Sequence, residues 1–119
     1  MPTQRQIVEL SFRLPSGGVE KHPCIILSNN EINSIESGFV AVMMTSTFDP
    51  DDEYTFVIKD DMVNKPLSKP CAVRLHLIGN FMNRDIISNT YHGYEILKNP
   101  FNRIIANINS ITFGIKLEM

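Results

Sequence analysis

Two short stretches carry side chains whose type and spacing suit chemistry. Arg74 and His76 stand two apart in an alternating run from Cys71 to Ile78. On an extended strand their side chains leave the same face about 7 Å apart. A guanidinium beside an imidazole supplies what RNA cleavage without a metal requires. One group takes the proton from a ribose 2′-hydroxyl, and the other stabilises charge on the phosphate as phosphorus becomes five-coordinate. The arginine fork matches phosphate geometry, and imidazole titrates near neutrality. The same pair also fits an ordinary solvated strand face. The second stretch is Thr45-Ser46-Thr47, which ends the apolar run Phe39–Met44. Three hydroxyls there suit donation to phosphate oxygens, or a turn that satisfies its own backbone.

Other chemistries find no foothold. Gly17-Gly18 is followed by no Gly-Lys-Ser/Thr, so it reads as a turn and not a nucleotide loop. His22, His76 and His92 are scattered, without the paired spacing of a zinc site, and no metal or cofactor is expected. Cys24 and Cys71 form neither a disulfide framework nor a ligand set. Cys24, inside Cys24-Ile25-Ile26-Leu27, reads as a small buried hydrophobe, although a bridge between the two thiols stays open.

The elements that must position these residues are mostly strands. Val8, Leu10 and Phe12 alternate with Ile7, Glu9 and Ser11, a period-2 pattern. Leu14 to Lys21 is a loop by its Pro, Ser and Gly content. Cys24 to Ser28 is a short apolar strand, and Asn29 to Ser37 is polar, with room for one helical turn at Glu31-Ile32-Asn33. Phe39 to Thr45 is apolar on both faces, which suits a central strand or an interface. After the acidic loop Asp49-Pro50-Asp51-Asp52-Glu53, expected to point away from any binding groove or to face a partner, Tyr54 to Ile58 alternates again. Asp60 to Lys69 is a connection and Cys71 to Ile78 the fifth strand. Phe81 to Tyr94 fits a short strand or a helical turn equally well. Asn99-Pro100 then offers an N-cap and a first-turn proline. Phe101, Ile104, Ile105, Ile108 and Ile111 follow at helical spacing, with Gly114 as the stop. The expected architecture is mainly β: a small, strongly bent barrel carrying a C-terminal amphipathic helix.

The 119 residues suit one domain, with a modest core that association would help. With 43% hydrophobic and 20% charged residues the chain is ordinary globular material. Its net charge of -2 offers no global basic footprint, so any contact with nucleic acid must use a local patch. The longest apolar run is six residues, too short to span a membrane, and no signal segment opens the chain. The expected location is cytoplasmic.

The order of these motifs resembles the MazF/PemK family of toxin endoribonucleases. His22-Pro23-Cys24-Ile25-Ile26-Leu27-Ser28-Asn29 is similar to the family's Arg-Pro pair leading into an apolar strand. Phe39–Ser46 is similar to its second apolar strand, which ends in Thr-Ser, and Val73-Arg74-Leu75-His76 to a later strand bearing an arginine. The resemblance runs from Ile7 to about Ile87 and is looser over the C-terminal helix. It implies an SH3-like barrel, a homodimer, and metal-independent cutting of single-stranded RNA at short sequences to leave 2′,3′-cyclic phosphate and 5′-hydroxyl ends. It also implies a cognate antitoxin whose acidic flexible tail occupies the RNA groove. By this resemblance Arg74 takes the family arginine, and Thr45 and Ser46 the hydroxyl pair that holds substrate, with Thr47 beside them; Arg74 would then stabilise the phosphate or donate a proton, His76 act as base, and His22 assist. His22 stands where most relatives carry arginine, His76 where some carry aspartate, and Phe81-Met82 where an Ile-Asp pair is typical. The low basicity, and a first loop from Pro15 to Lys21 without the histidine of some members, leave open a CcdB-like gyrase poison, and the departures at His22 and Phe81-Met82 a repurposed member that dimerises and cuts nothing.

Overall fold

The computed structural model describes residues 2–87 and 90–115. Five antiparallel strands make one sheet: β1 (Ile7–Arg13), β2 (Val19–Ile26), β3 (Gly38–Thr45), β4 (Thr55–Ile58) and β5 (Cys71–Met82), in spatial order β1-β2-β3-β5-β4. The sheet bends strongly without closing. Its bend is helped by a register shift between Val42 and Met44, where β3 slips against β5.

Apolar residues face both ways, so the bent sheet carries two cores. One side gathers Ile7, Ile25, Val42, Met44, Val73 and Leu75. The other gathers Val8, Leu10, Phe12, Cys24, Ile26, Phe39, Ala41 and Met43. The doubly apolar β3 is therefore central, and Phe39 and Ala41 to Met44 are all buried within the chain. A role for that strand as a surface between copies is excluded by this burial.

The first core is covered by α2 (Lys98–Asn107), which presents Phe101, Ile104 and, just past its end, Ile108. Each such side chain contributes about 1.5–3 kcal/mol when fully buried. The helix starts one residue before the expected Asn99 cap. Leu97 occupies the cap position, where its apolar side chain can make no capping hydrogen bond, and its N–H donates to the Met62 carbonyl at 2.9 Å. The apolar spacing continues through a π turn, Ile108–Thr112, tied to the sheet by the Thr112 hydroxyl donating to the Leu75 carbonyl.

Between β2 and β3 the polar stretch makes two helical turns, α1 (Asn30–Glu36), where one was expected. Asn29 caps it by accepting from the Ile32 N–H at 2.9 Å. Gly38 follows because a Cβ there would sit 2.6 Å from the Phe81 carbonyl oxygen. That close approach lets β5 run on to Met82, four residues past the predicted end at Ile78. After β5 comes a single 3₁₀ turn, Asn83–Asp85, and an isolated bridge from Ile87 to Glu9. Both thiols are free and buried, and among the described residues no helix is long and apolar enough to cross a membrane.

Candidate functional site

A polar cavity on the β2–β3 side holds about 620 Å³, and its lining includes Lys21, His22, Thr45, Ser46, Thr47 and Lys69, with Glu20, Cys71 and Tyr91 beside them. The strand pairings build it. His22 lies in the part of β2 that pairs with β1 but extends beyond β3, opposite Leu10. Thr45 is the last residue of β3, paired with Ala72 near the start of β5. The connection Leu67–Lys69 then runs past both ends and leads into Cys71. A pocket forms where three chain ends meet without a strand to fill the gap.

Four of the six expected site residues therefore share one cavity: His22, Thr45, Ser46 and Thr47. Thr45 is almost buried, and its hydroxyl accepts from the Thr47 N–H at 3.1 Å. It thus makes the self-satisfying turn and lines the pocket at once. Ser46 is exposed, and its hydroxyl has no hydrogen-bond partner among the described residues. The Nε2 of His22 lies 3.3 Å from a Glu20 carboxylate oxygen. That contact lacks hydrogen-bond geometry, and the nitrogen is otherwise buried and unpartnered. Two lysines against one carboxylate make this wall locally basic in an acidic chain.

Sequence reasoning missed Lys21, Lys69 and Tyr91. Lys69 sits in a proline-flanked connection and Tyr91 in the undecided stretch, so no local pattern marked them. Tyr91 is half-buried and set edge-on to Tyr94, ring centroids 5.8 Å apart at 80°. Tyr94 in turn lies under the Lys65 ammonium at 5.4 Å. Burial, then the neighbouring Cys71, Glu9 and Tyr94, pushes the Tyr91 phenol above its usual range and keeps it neutral. Burial likewise raises the Cys71 thiol, opposed by Lys69.

Arg74 and His76 lie elsewhere on β5 and do not line this cavity. The guanidinium of Arg74 donates to an Asp52 carboxylate oxygen at 3.0 Å and to the Thr55 hydroxyl at 2.6 Å. The acidic loop thus turns one carboxylate inward onto the arginine. Hydrogen bonds from the Tyr54 N–H and from Arg74 hold the Asp52 carboxyl below its usual range. His76 is exposed and meets the Tyr54 ring edge-on, 5.1 Å between centroids. Partial desolvation, then the charge of Arg74, lowers its pKa, with Asp52 opposing. The result is a closed polar cluster of Asp52, Tyr54, Thr55, Arg74 and His76. Among the described residues no group of three His, Cys, Asp or Glu side chains is arranged to hold a metal.

Comparison with known proteins adds the lineage. A mycobacterial endoribonuclease in complex with its cognate antitoxin superposes with a TM-score of 0.71 at 20% identity, covering 99% of this chain and 100% of that one. MazF in a MazE-MazF crystal structure from Deinococcus radiodurans gives 0.70 at 16% identity, over 97% and 98% of the two chains. Mycobacterium tuberculosis toxin MazF-mt6 gives 0.67 at 15%, over 95% and 100%. At these identities the likeness establishes the fold. No curated protein matches the chain by sequence. Residues 3–93 match the family described as PemK-like, MazF-like toxin of type II toxin-antitoxin system, and the chain belongs to that family.

Proposed function

We propose that the chain is the toxin of a toxin–antitoxin pair: a metal-independent endoribonuclease that cuts single-stranded RNA and leaves 2′,3′-cyclic phosphate and 5′-hydroxyl ends. The observation that carries the reading is the cavity that joins the His22 imidazole, the hydroxyl side chains of Thr45, Ser46 and Thr47, and two ammonium groups. His22 moves the proton. Removal of the 2′-hydroxyl proton lets that oxygen attack phosphorus, the bond to the 5′-oxygen breaks, and the leaving oxygen takes up a proton. Lys21, Lys69 and the Ser46 hydroxyl face the negative charge that builds on the phosphate oxygens. Thr45 and Thr47 shape the turn that presents Ser46. Glu20 is well exposed, so an incoming phosphate repels it and uncovers the imidazole nitrogen. The family assignment further supports a homodimer and an antitoxin whose acidic segment competes with RNA for the basic wall.

A second reading places the chemistry on Arg74 and His76. In its favour, His76 is exposed and its lowered pKa keeps it neutral and able to accept a proton. Against it, the Arg74 guanidinium is already engaged by Asp52 and Thr55.

The test is incubation of the purified chain with a long unstructured RNA in excess EDTA, followed by analysis of fragment ends. Discrete cuts with cyclic-phosphate ends are expected. Intact RNA across several substrates, with growth arrest in cells, would transfer the assignment to a CcdB-like gyrase poison. Intact RNA with no growth arrest would mark a repurposed member.

A further inference from the structure

A second concavity lies beside the first, and Tyr91 lines both. It holds about 220 Å³, and its lining includes Ile86, Ile87, Glu9, Gln6 and His92. Its size and composition suit one planar ring: apolar surface for the ring to lie against and a few polar groups to read its edge. Tyr91 is a fixed platform, held by Tyr94, and both Cys71 of the first cavity and Glu9 of the second act on its phenol. An aromatic ring shared by a basic pocket and a ring-sized slot has the layout of single-stranded RNA recognition, in which bases stack on side chains while the backbone meets cations.

The polar group of the slot is a carboxylate. One Glu9 oxygen accepts a long contact from the Thr90 hydroxyl at 3.4 Å, and the other has no partner among the described residues. A carboxylate presents two acceptors side by side and therefore matches two adjacent donors. Among the four bases only guanine offers these, through N1–H and the N2 amino group. Adenine and cytosine each set one amino group beside an acceptor nitrogen, and uracil flanks its single N–H with two carbonyls. Gln6 already accepts from the Thr3 N–H through its Oε1 at 3.0 Å, which turns its amino end to serve as a donor toward a base oxygen.

We propose that the slot behind Tyr91 is a base-reading subsite that selects guanine at a nucleotide flanking the scissile phosphate, with Glu9 reading its Watson–Crick edge and Tyr91 stacking on it. This rests on the ribonuclease reading of the neighbouring cavity. A site built to accept two hydrogen bonds rejects bases that cannot make them, because its own carboxylate is then left unpaired.

The experiment compares cleavage of short RNAs that differ only in the base flanking the cut site: guanine, inosine, adenine, cytosine or uracil. The wild type should prefer guanine by about 10- to 100-fold, with inosine, which lacks the N2 amino group, intermediate. Glu9→Gln, nearly isosteric, should flatten that preference, bringing cleavage of the guanine RNA and of the other RNAs to similar rates. Tyr91→Ala should slow all of them by about 10-fold without changing their order. Equal cutting of all five RNAs by the wild type, or an unchanged preference in Glu9→Gln, would overturn the proposal. If no RNA is cut, the ribonuclease reading itself fails, and binding decides the slot. Oligonucleotides with a 2′-deoxy sugar at the test position, followed by fluorescence anisotropy, should still bind tighter with guanine than with uracil in the wild type and equally in Glu9→Gln. Equal binding by the wild type would overturn the subsite independently.

Discussion

Replacing His22 by alanine separates the two polar constellations of this chain, because each predicts a different outcome. The imidazole belongs to the cavity that also holds Ser46, Lys21 and Lys69. A positioned proton-transfer group is worth about 10²- to 10⁴-fold in rate. The lysines and the Ser46 hydroxyl remain in the variant and keep their share of phosphate stabilisation. The expected loss is therefore in the lower half of that range, roughly 10²- to 10³-fold, or about 3–4 kcal/mol of barrier. Folding should survive. His22 is paired to β1 through backbone hydrogen bonds that alanine retains, so the stability cost is about 1 kcal/mol, typical of a partly exposed truncation. Single-turnover cleavage with enzyme in excess isolates the chemical step from product release. Added imidazole should restore part of the rate, since the deletion opens space in a cavity of about 620 Å³. Arg74→Ala serves as the matched control and should retain cleavage within about tenfold, because that guanidinium is engaged by Asp52 and Thr55. Wild-type rates in His22→Ala together with silence in a folded Arg74→Ala would refute the assignment and place the chemistry on Arg74 and His76.

Two further outcomes follow from the packing and the charges. Asn33 is fully buried and donates from Nδ2 to the Ser28 carbonyl at 3.2 Å and toward the Pro2 carbonyl, while its Oδ1 accepts from the Ser28 hydroxyl. Asn33→Ala strands these partners and should cost about 2–4 kcal/mol, lowering Tm by about 10 °C, read by urea and thermal unfolding with cleavage at low temperature preserved. Acid should weaken the fold through the cluster around Arg74. Asp52 and His76 both have folded pKa values below their ordinary 3.8 and 6.5, so the unfolded chain binds more protons and stability rises with pH. Their contribution is complete above the unfolded values and is lost as pH falls, first below about 6.5 through His76 and then below about 3.8 through Asp52. The urea midpoint should drop across that window, and His76→Gln should flatten its upper part. An unchanged slope in that variant would show that His76 does not carry the effect.

What the sequence made legible and what it hid divide along a physical line. The two-residue period of β1 and the apolar run of β3 declared themselves because alternation and burial are local patterns. So did the amphipathic face of α2. The hydroxyl run Thr45 to Thr47 was visible as chemistry and His22 only through the family resemblance, and the fold brings them into one cavity. The pairing of Arg74 with Asp52 was not visible, since twenty-two positions separate them and only the return of the β3–β4 loop onto β5 joins them. β5 was read four residues short because Gly79 and Asn80 have poor strand propensity. Their pairing with Ala41 and Val40 overrides that preference, which is the usual fate of propensity when a neighbour strand supplies the hydrogen bonds. Lys69 and Tyr91 were hidden for the same reason: a proline-flanked connection and a turn become a wall only where β2, β3 and β5 leave a gap. The position of Arg74 illustrates the consequence. Two residues at strand spacing can look like a catalytic pair, yet a carboxylate from a distant loop decides whether the arginine is available to a phosphate. In this fold Asp52 takes that place, and the proposed function assigns the contact with RNA phosphate to Lys21 and Lys69 beside His22.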